Sequence, residues 1–308
     1  MEMERKNKRL VAIVLAAIAL VTGIIFISVL VNNGNDNNDS MSDSSLSESL
    51  SSEFSSEISN SEVDPSTDES YIESLNTHLR DYETKNGRID YFSEVVEVLN
   101  EKNISLDSLK SNNSNHHFLW NSTTNSFVLI DNNDKVIYPS NLTISHKANL
   151  YKVINNEEDV KNFEGYSMYV SDTFDKDTIN IKKMSNIEVA KKNLKININD
   201  ANSTGSYIVL GELEKVLVHL DKATITLFKN IKNVEVSTNS SIDIYGNVDF
   251  IKLNSGTINA LTGSKINTID ATQSTSNSKV TKNDSSEISK IISNNENICD
   301  DKSIIVKP

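Results

Sequence analysis

At 308 residues the chain has room for two folded domains, and its net charge of -13 argues against a nucleic-acid partner, because phosphate binding needs a basic face. Its single cysteine, Cys299, excludes an intramolecular disulfide. The charge is uneven: residues 1–9 hold four cations and two acids, and residues 32–70 hold ten acids with neither lysine nor arginine.

Leu10 to Val31 is uncharged and almost wholly apolar. At about 1.5 Å per helical residue it is long enough to cross a bilayer core of roughly 30 Å. The run is longer than the apolar core of a cleaved signal peptide, and Val29-Leu30-Val31-Asn32 makes a poor cleavage site. A signal-anchor over 10–31 is expected, contacting the lipid bilayer of the plasma membrane. The basic flank over 1–9 keeps the N-terminus cytoplasmic and puts the C-terminal part outside. Residues 32–70 are Ser, Asn, Asp and Glu with little else, a composition that buries too little apolar area to offset ordering entropy, so a disordered linker is expected. Leu46, Leu50, Phe54 and Ile58 recur every four residues within it, a weak helical pattern that drifts from the true period.

Residues 71–145 read as a small α+β module. Tyr71, Ile72, Leu75, Leu79 and Tyr82 trace one helical face, which Asn86-Gly87 ends. A second helix carries Tyr91, Phe92, Val95, Val98 and Leu99, and a short turn holds Ile104, Leu106 and Leu109. The period then changes to two, through Phe118/Trp120, Phe127/Leu129 and Val136/Tyr138, predicting two or three antiparallel strands. The stretch from Phe118 to Pro139 is similar to a small module of uncharacterised exported proteins of Gram-positive bacteria, a likeness that implies no chemistry. Asp131 to Asp134 offers oxygens for calcium but reads better as a hairpin turn. His116 and His117 face opposite ways in a strand, which disfavours a shared metal. Trp120, Phe127 and Tyr138 fit a core cluster better than a sugar-stacking platform. Asn103 and Asn121 match the glycosylation pattern, as chance expects in so Asn- and Ser-rich a chain.

Residues 146–283 carry a repeat. A strand from Leu150 and a short helix with Val160 and Phe163 lead to Gly165, and short strands follow near 168–170, 178–181, 186–189 and 194–198. From residue 207 three columns recur at a spacing of 17: Leu210, Leu227, Ile244 and Leu261; Ile208, Ile225 and Ile242; and Leu217, Val234 and Ile251. Gly246 and Gly263 share that spacing. A fixed period with alternation inside each unit predicts a β-solenoid whose turns bury these columns by stacking. The layout resembles right-handed parallel β-helices of the pectate-lyase-like class, in which a helix caps the first coil, and the plainer solenoid of bactofilins. Residues 284–308 are expected to cap the far end, with Asp284-Ser-Ser-Glu287 opening a helix through Ile288, Ile291 and Ile292.

The pectate-lyase-like resemblance implies polysaccharide cleavage, yet the residues do not assemble it. The last arginine is Arg88, and Asp243, Asp249 and Asp270 share no 17-residue column. The adjacent pair Asp300-Asp301 lies beyond the repeat, and His219 is the only histidine between residues 150 and 280. No catalytic, cofactor or metal residue is assigned, and no cofactor is expected. The expected function is surface binding or adhesion to a cell-wall glycan or a surface protein, without catalysis. The alternatives are a self-associating structural solenoid and a polysaccharide lyase or hydrolase.

Overall fold

A computed structural model describes residues 68–144 and 146–308. The expected membrane span and nearly all of the linker lie outside the described residues. Among the described residues no helix is long and apolar enough to cross a membrane.

Two helices open the described region, α1 (Asp68–Asn86) and α2 (Phe92–Glu101). The first begins three residues inside the expected linker. Gly87, with φ of 95°, ends it by donating to Glu83 O at 2.9 Å, the left-handed stop that glycine makes without a steric cost. Glu94 anchors the start of α2, accepting from the Asp90 and Tyr91 N–H groups at 2.8 and 3.1 Å. Strands β1 (His116–Asn121), β2 (Ser126–Asp131) and β3 (Val136–Tyr138) form an antiparallel meander. One face of it packs Phe118, Trp120, Phe127 and Leu129 against Ile72, Leu75, Leu79 and Phe92 of the helices. The buried Asn76 of α1 bonds both the N–H and the C=O of Phe127, at 2.6 and 3.1 Å.

The solenoid begins with β4 (Leu150–Ile154), the short helix α3 (Glu157–Asn162), β5 (Ser167–Val170), β6 (Thr178–Ile181), β7 (Ile187–Val189) and β8 (Leu194–Asp200). It continues through β9 (Ser206–Leu210), β10 (Leu213–Leu220), β11 (Thr224–Phe228), β12 (Asn230–Ile244) and β13 (Asn247–Ala260). It ends with β14 (Lys265–Asp270), β15 (Lys279–Lys282), β16 (Glu287–Ile292) and β17 (Ile305–Val306). These strands wind into a parallel β-solenoid of about nine turns. Sheet A runs β4, β5, β7, β9, β11, the end of β12, the end of β13, then β15. Sheet B runs β6, β8, β10, the start of β12, the start of β13, then β14, β16 and β17. The long strands β12 and β13 turn the corner and serve both sheets. Gly246 sits at one such corner, where a Cβ would lie 1.8 Å from Lys229 O, so no larger residue fits without moving backbone.

The register departs from a uniform 17. In sheet A the inward column is Val209, Leu227, Ile244 and Ala260, separated by 18, 17 and 16 residues. Leu210 instead pairs with Phe228 on the outer side and is only half-buried, and Leu261 lies half-buried at the corner after β13. The neighbouring inward column is Tyr207, Ile225, Ile242, Ile258 and Val280, and Ile208 pairs outward with Thr226. In sheet B the column is Val216, Val234, Ile251, Ile269 and Ile291, whereas Leu217 pairs with Glu235 on the outer face. Ile225, Leu227, Val234, Ile242, Ile244 and Ile251 are fully buried. Corners that gain or lose one residue shift the column by one place, and because side chains alternate across a strand, that exchanges inside for outside.

The expected helix over 284–292 is the strand β16. Asn283 accepts from Ser285 N at 3.1 Å, so its side chain closes a turn. Ile288 and Ile291 stack beneath Ile266 and Ile269. A spacing of three between inward residues recurs in sheet B, as in Ile231/Val234 and Val248/Ile251, because two successive residues between them lack an inward place. That spacing imitates a helical face.

Module and solenoid share a sheet. Strand β1 pairs antiparallel with β4 through Trp120–Tyr151 and Asn121–Leu150, so the meander extends sheet A at its first edge. Helix α3 packs on β4 and β6 and lends Val160 to the solenoid core, closing the same end of sheet B. Its N-cap is Asn156, which accepts from Glu158 N and Asp159 N at 2.9 and 3.0 Å. At the far end Val280 N donates to Ile298 O at 2.7 Å, and the buried Ile298 and Cys299 cover the last coil.

Candidate functional site

The outer face of sheet A holds a row of Val153, Tyr169, Glu188, Leu210 and Phe228, one residue from each of five successive strands. Four of the five are apolar or aromatic. The fifth, Glu188, is 2 % exposed. Helix α2 lies over this row, with Phe92 stacked on Tyr151 at a centroid distance of 5.9 Å and tilted against Tyr169 at 4.9 Å. The Glu188 carboxylate receives the first N–H groups of α2, accepting from Phe92 N at 2.9 Å and Ser93 N at 3.0 Å. Placing an anion at a helix N-terminus satisfies orphan donors and suits the helix dipole. Tyr151 and the Ser93 side chain also bond it. Burial nevertheless dominates and pushes Glu188 up to about 7, against the pull of those hydrogen bonds. Burial and Glu188 together raise Tyr151 well above the usual tyrosine value.

A groove runs beside α2, along the corners that follow β4, β5, β7, β9 and β11. Its first hollow, of about 570 Å³, lies between the C-terminal half of α2 with the turn after it and the corners after β4 and β5. One wall carries Asn100, Asn103 and Asp107, and the other Asn155, Asp172 and Thr173. Ser171 ties the second wall together, bonding Asn155 at 2.6 Å and Thr173 at 2.9 Å. A second hollow, of about 390 Å³, shares Val96, Tyr169 and Ala190 with the first and continues past Glu188 to Lys192, Glu212 and Lys229. With strands about 4.8 Å apart, four steps of the stack give the groove a length of roughly 19 Å.

Other candidate residues are occupied by local structure. Asp131 accepts from Asn133 N and Lys135 N at 2.8 and 2.9 Å, and Asp134 pairs with Lys147 and the Tyr166 hydroxyl. That loop is therefore a closed hairpin turn. His117 bonds Asn132 at 2.6 Å and meets Phe163 edge-on, while His116 bonds Asn113 at 3.2 Å. Trp120 is fully buried between Phe92 and Tyr151. Asn121 is buried and accepts from Thr123 N at 2.9 Å. Asp243 lies in sheet A and binds Asn259 at 2.6 Å, whereas Asp249 and Asp270 lie in sheet B. Asp301 caps the turn over 302–304 and pairs with Lys282 at 3.5 Å. Among the described residues no three His, Cys, Asp or Glu side chains are placed to share a metal ion.

Sequence reasoning missed the groove and Glu188. In Ile187-Glu188-Val189 an acid between apolar neighbours reads as the solvent side of a strand. The helix that buries it comes from 95 residues earlier, so no local pattern marks it. Set against protein-family models, curated proteins and solved structures, the chain matches none.

Proposed function

We propose that the chain is a single-pass, membrane-tethered protein whose module and solenoid stand outside the cytoplasm, and that the groove beside α2 binds a cell-wall glycan without cleaving it. The observation that carries this reading is the lining of the first hollow. Asn100, Asn103 and Asn155 supply both donors and acceptors, and Asp107 and Asp172 supply acceptors. Such a lining complements sugar hydroxyls, which donate and accept in equal measure, and the groove is long enough to follow an extended chain across several sugars. The uncharged run over 10–31 with its basic flank supports the tether and its orientation.

Co-sedimentation of the full chain, in detergent, with insoluble cell-wall fragments tests the reading. The wild-type protein should pellet with the fragments, and Asn100→Ala combined with Asp172→Ala should weaken binding by about tenfold or more, the effect of losing one charge-assisted hydrogen bond. Undiminished pelleting of the double variant, or no pelleting of the wild type, would sink it.

A further inference from the structure

We infer that Glu188 is a protonation-controlled latch: with its carboxyl group neutral, α2 is held seated on sheet A, and with it ionised, α2 lifts more often, each lifting taking one wall from the groove. As regulation of the groove the latch rests on the glycan-binding reading. As a conformational device it stands without it.

The geometry supplies both halves of the switch. Glu188 interrupts an otherwise apolar row, is 2 % exposed, and its partners are the N–H groups of Phe92 and Ser93 with the side chains of Ser93 and Tyr151. None of these partners carries a positive charge. Sheet A presents Tyr151, whose hydroxyl bonds the carboxylate, and the neutral Tyr169. The turn before α2 presents Asp90 and the neutral Tyr91, and α2 itself presents Glu94 and Glu97, so the acids among these neighbours oppose an anion. Its other strand neighbour, Leu210 of β9, carries no charge. On the groove side Lys192 and Lys229 lie with Glu212 along the rim of the same hollow. The same carboxylate holds the first turn of α2, so the free energy of its burial is tied to the seating of that helix.

The sign follows from linkage. Seated, the carboxyl titrates near 7. Lifted into water it returns to the ordinary 4.5. The seated state therefore keeps the proton across that window, so acid favours seating, and seating weakens as pH rises through 7. Lifting should be favoured on the order of 100-fold more at pH 8 than at pH 5.

Amide hydrogen exchange of the ligand-free full chain, expressed as protection factors over pH 5 to 8, reads this directly. Protection over Phe92–Glu101 should fall on the order of 100-fold with rising pH and lie below that of β12 throughout, marking an opening smaller than global unfolding, and Glu188→Gln should flatten the α2 profile. A level α2 profile in the wild type, α2 protection equal to that of β12 at every pH, or an unchanged fall in the variant would overturn the latch. Should the variant not fold, the pH dependence of α2 in the wild type and its protection below that of β12 decide. Failure of wall fragments to bind would remove the glycan reading and leave the exchange result standing.

Discussion

The early turns of the solenoid lie beneath α2, and the late turns lie open. In the early turns the outer row of sheet A is Val153, Tyr169 and Glu188, all buried. In the late turns the outer residues are Thr226, Asp243, Asn259 and Thr281, which stack in register and stay in contact with water. These bond one another along the axis, Asn259 to Asp243 and Thr281 to Asn259, each at 2.6 Å. The interior hardly changes between the two regions. Val209, Leu227, Ile244 and Ala260 fill one column without a break. The repeat thus makes a uniform rod, and the added module gives one stretch of it a groove, a buried acid and a wall that can move. Individuality in this molecule resides on the outer face, where the inward stacking imposes no constraint.

Five substitutions sharpen this contrast between a strict interior and a tolerant exterior. The largest effect is expected from Ile244→Asp, which buries an unpaired charge in the central column and should cost about 4 kcal/mol or more. Leu261→Asp, seventeen residues on but only half-buried at a corner, should cost no more than about 1 kcal/mol. Urea unfolding of the two proteins measures the difference, and equal losses would restore the uniform 17-residue column. Next, Ile251→Ala should lose about 2–5 kcal/mol by opening a cavity, whereas Leu217→Ala, on the outer face beside Glu235, should lose less than about 1 kcal/mol. A reversed order would show that sheet B has been read inside out. The smallest effect belongs to Glu235→Gln. Its carboxylate pairs with Lys215 at 3.1 Å and Lys252 at 3.3 Å across three turns, and the Lys215 hydrogen bond holds it below the usual carboxylate range. These are largely solvated pairs, so the change in stability should stay within about 1 kcal/mol and shrink further in high salt.

Periodicity carried the repeat, its parallel stacking, the two module helices with their Gly87 stop, the meander and the entry helix α3. Each of these depends on residues close together in the chain, or on a pattern repeated often enough to survive small errors. What the pattern could not carry was the length of each corner. A column that steps by 18, 17 and 16 looks like a steady 17 when Val209 has Leu210 beside it and Ala260 has Leu261 beside it, since both members of each pair are apolar. The same blindness turned β16 into a helix, because Ile288 and Ile291 are spaced by three whether they line a helix or a strand with two residues between its inward positions.

Sequence alone was enough to establish that this chain stacks short strands around an apolar interior, because burying columns of Ile, Leu and Val is a demand that every turn repeats. It also marked the module as a separate pattern of helices and alternating strands. Only the tertiary structure joined β1 to β4 and laid α2 across the row at Glu188. Those contacts bring together segments separated by some 30 residues in the first case and some 95 in the second. Their free energy comes from surfaces that meet only after both parts have folded, so they leave no period to read. The groove and its latch exist because of that meeting.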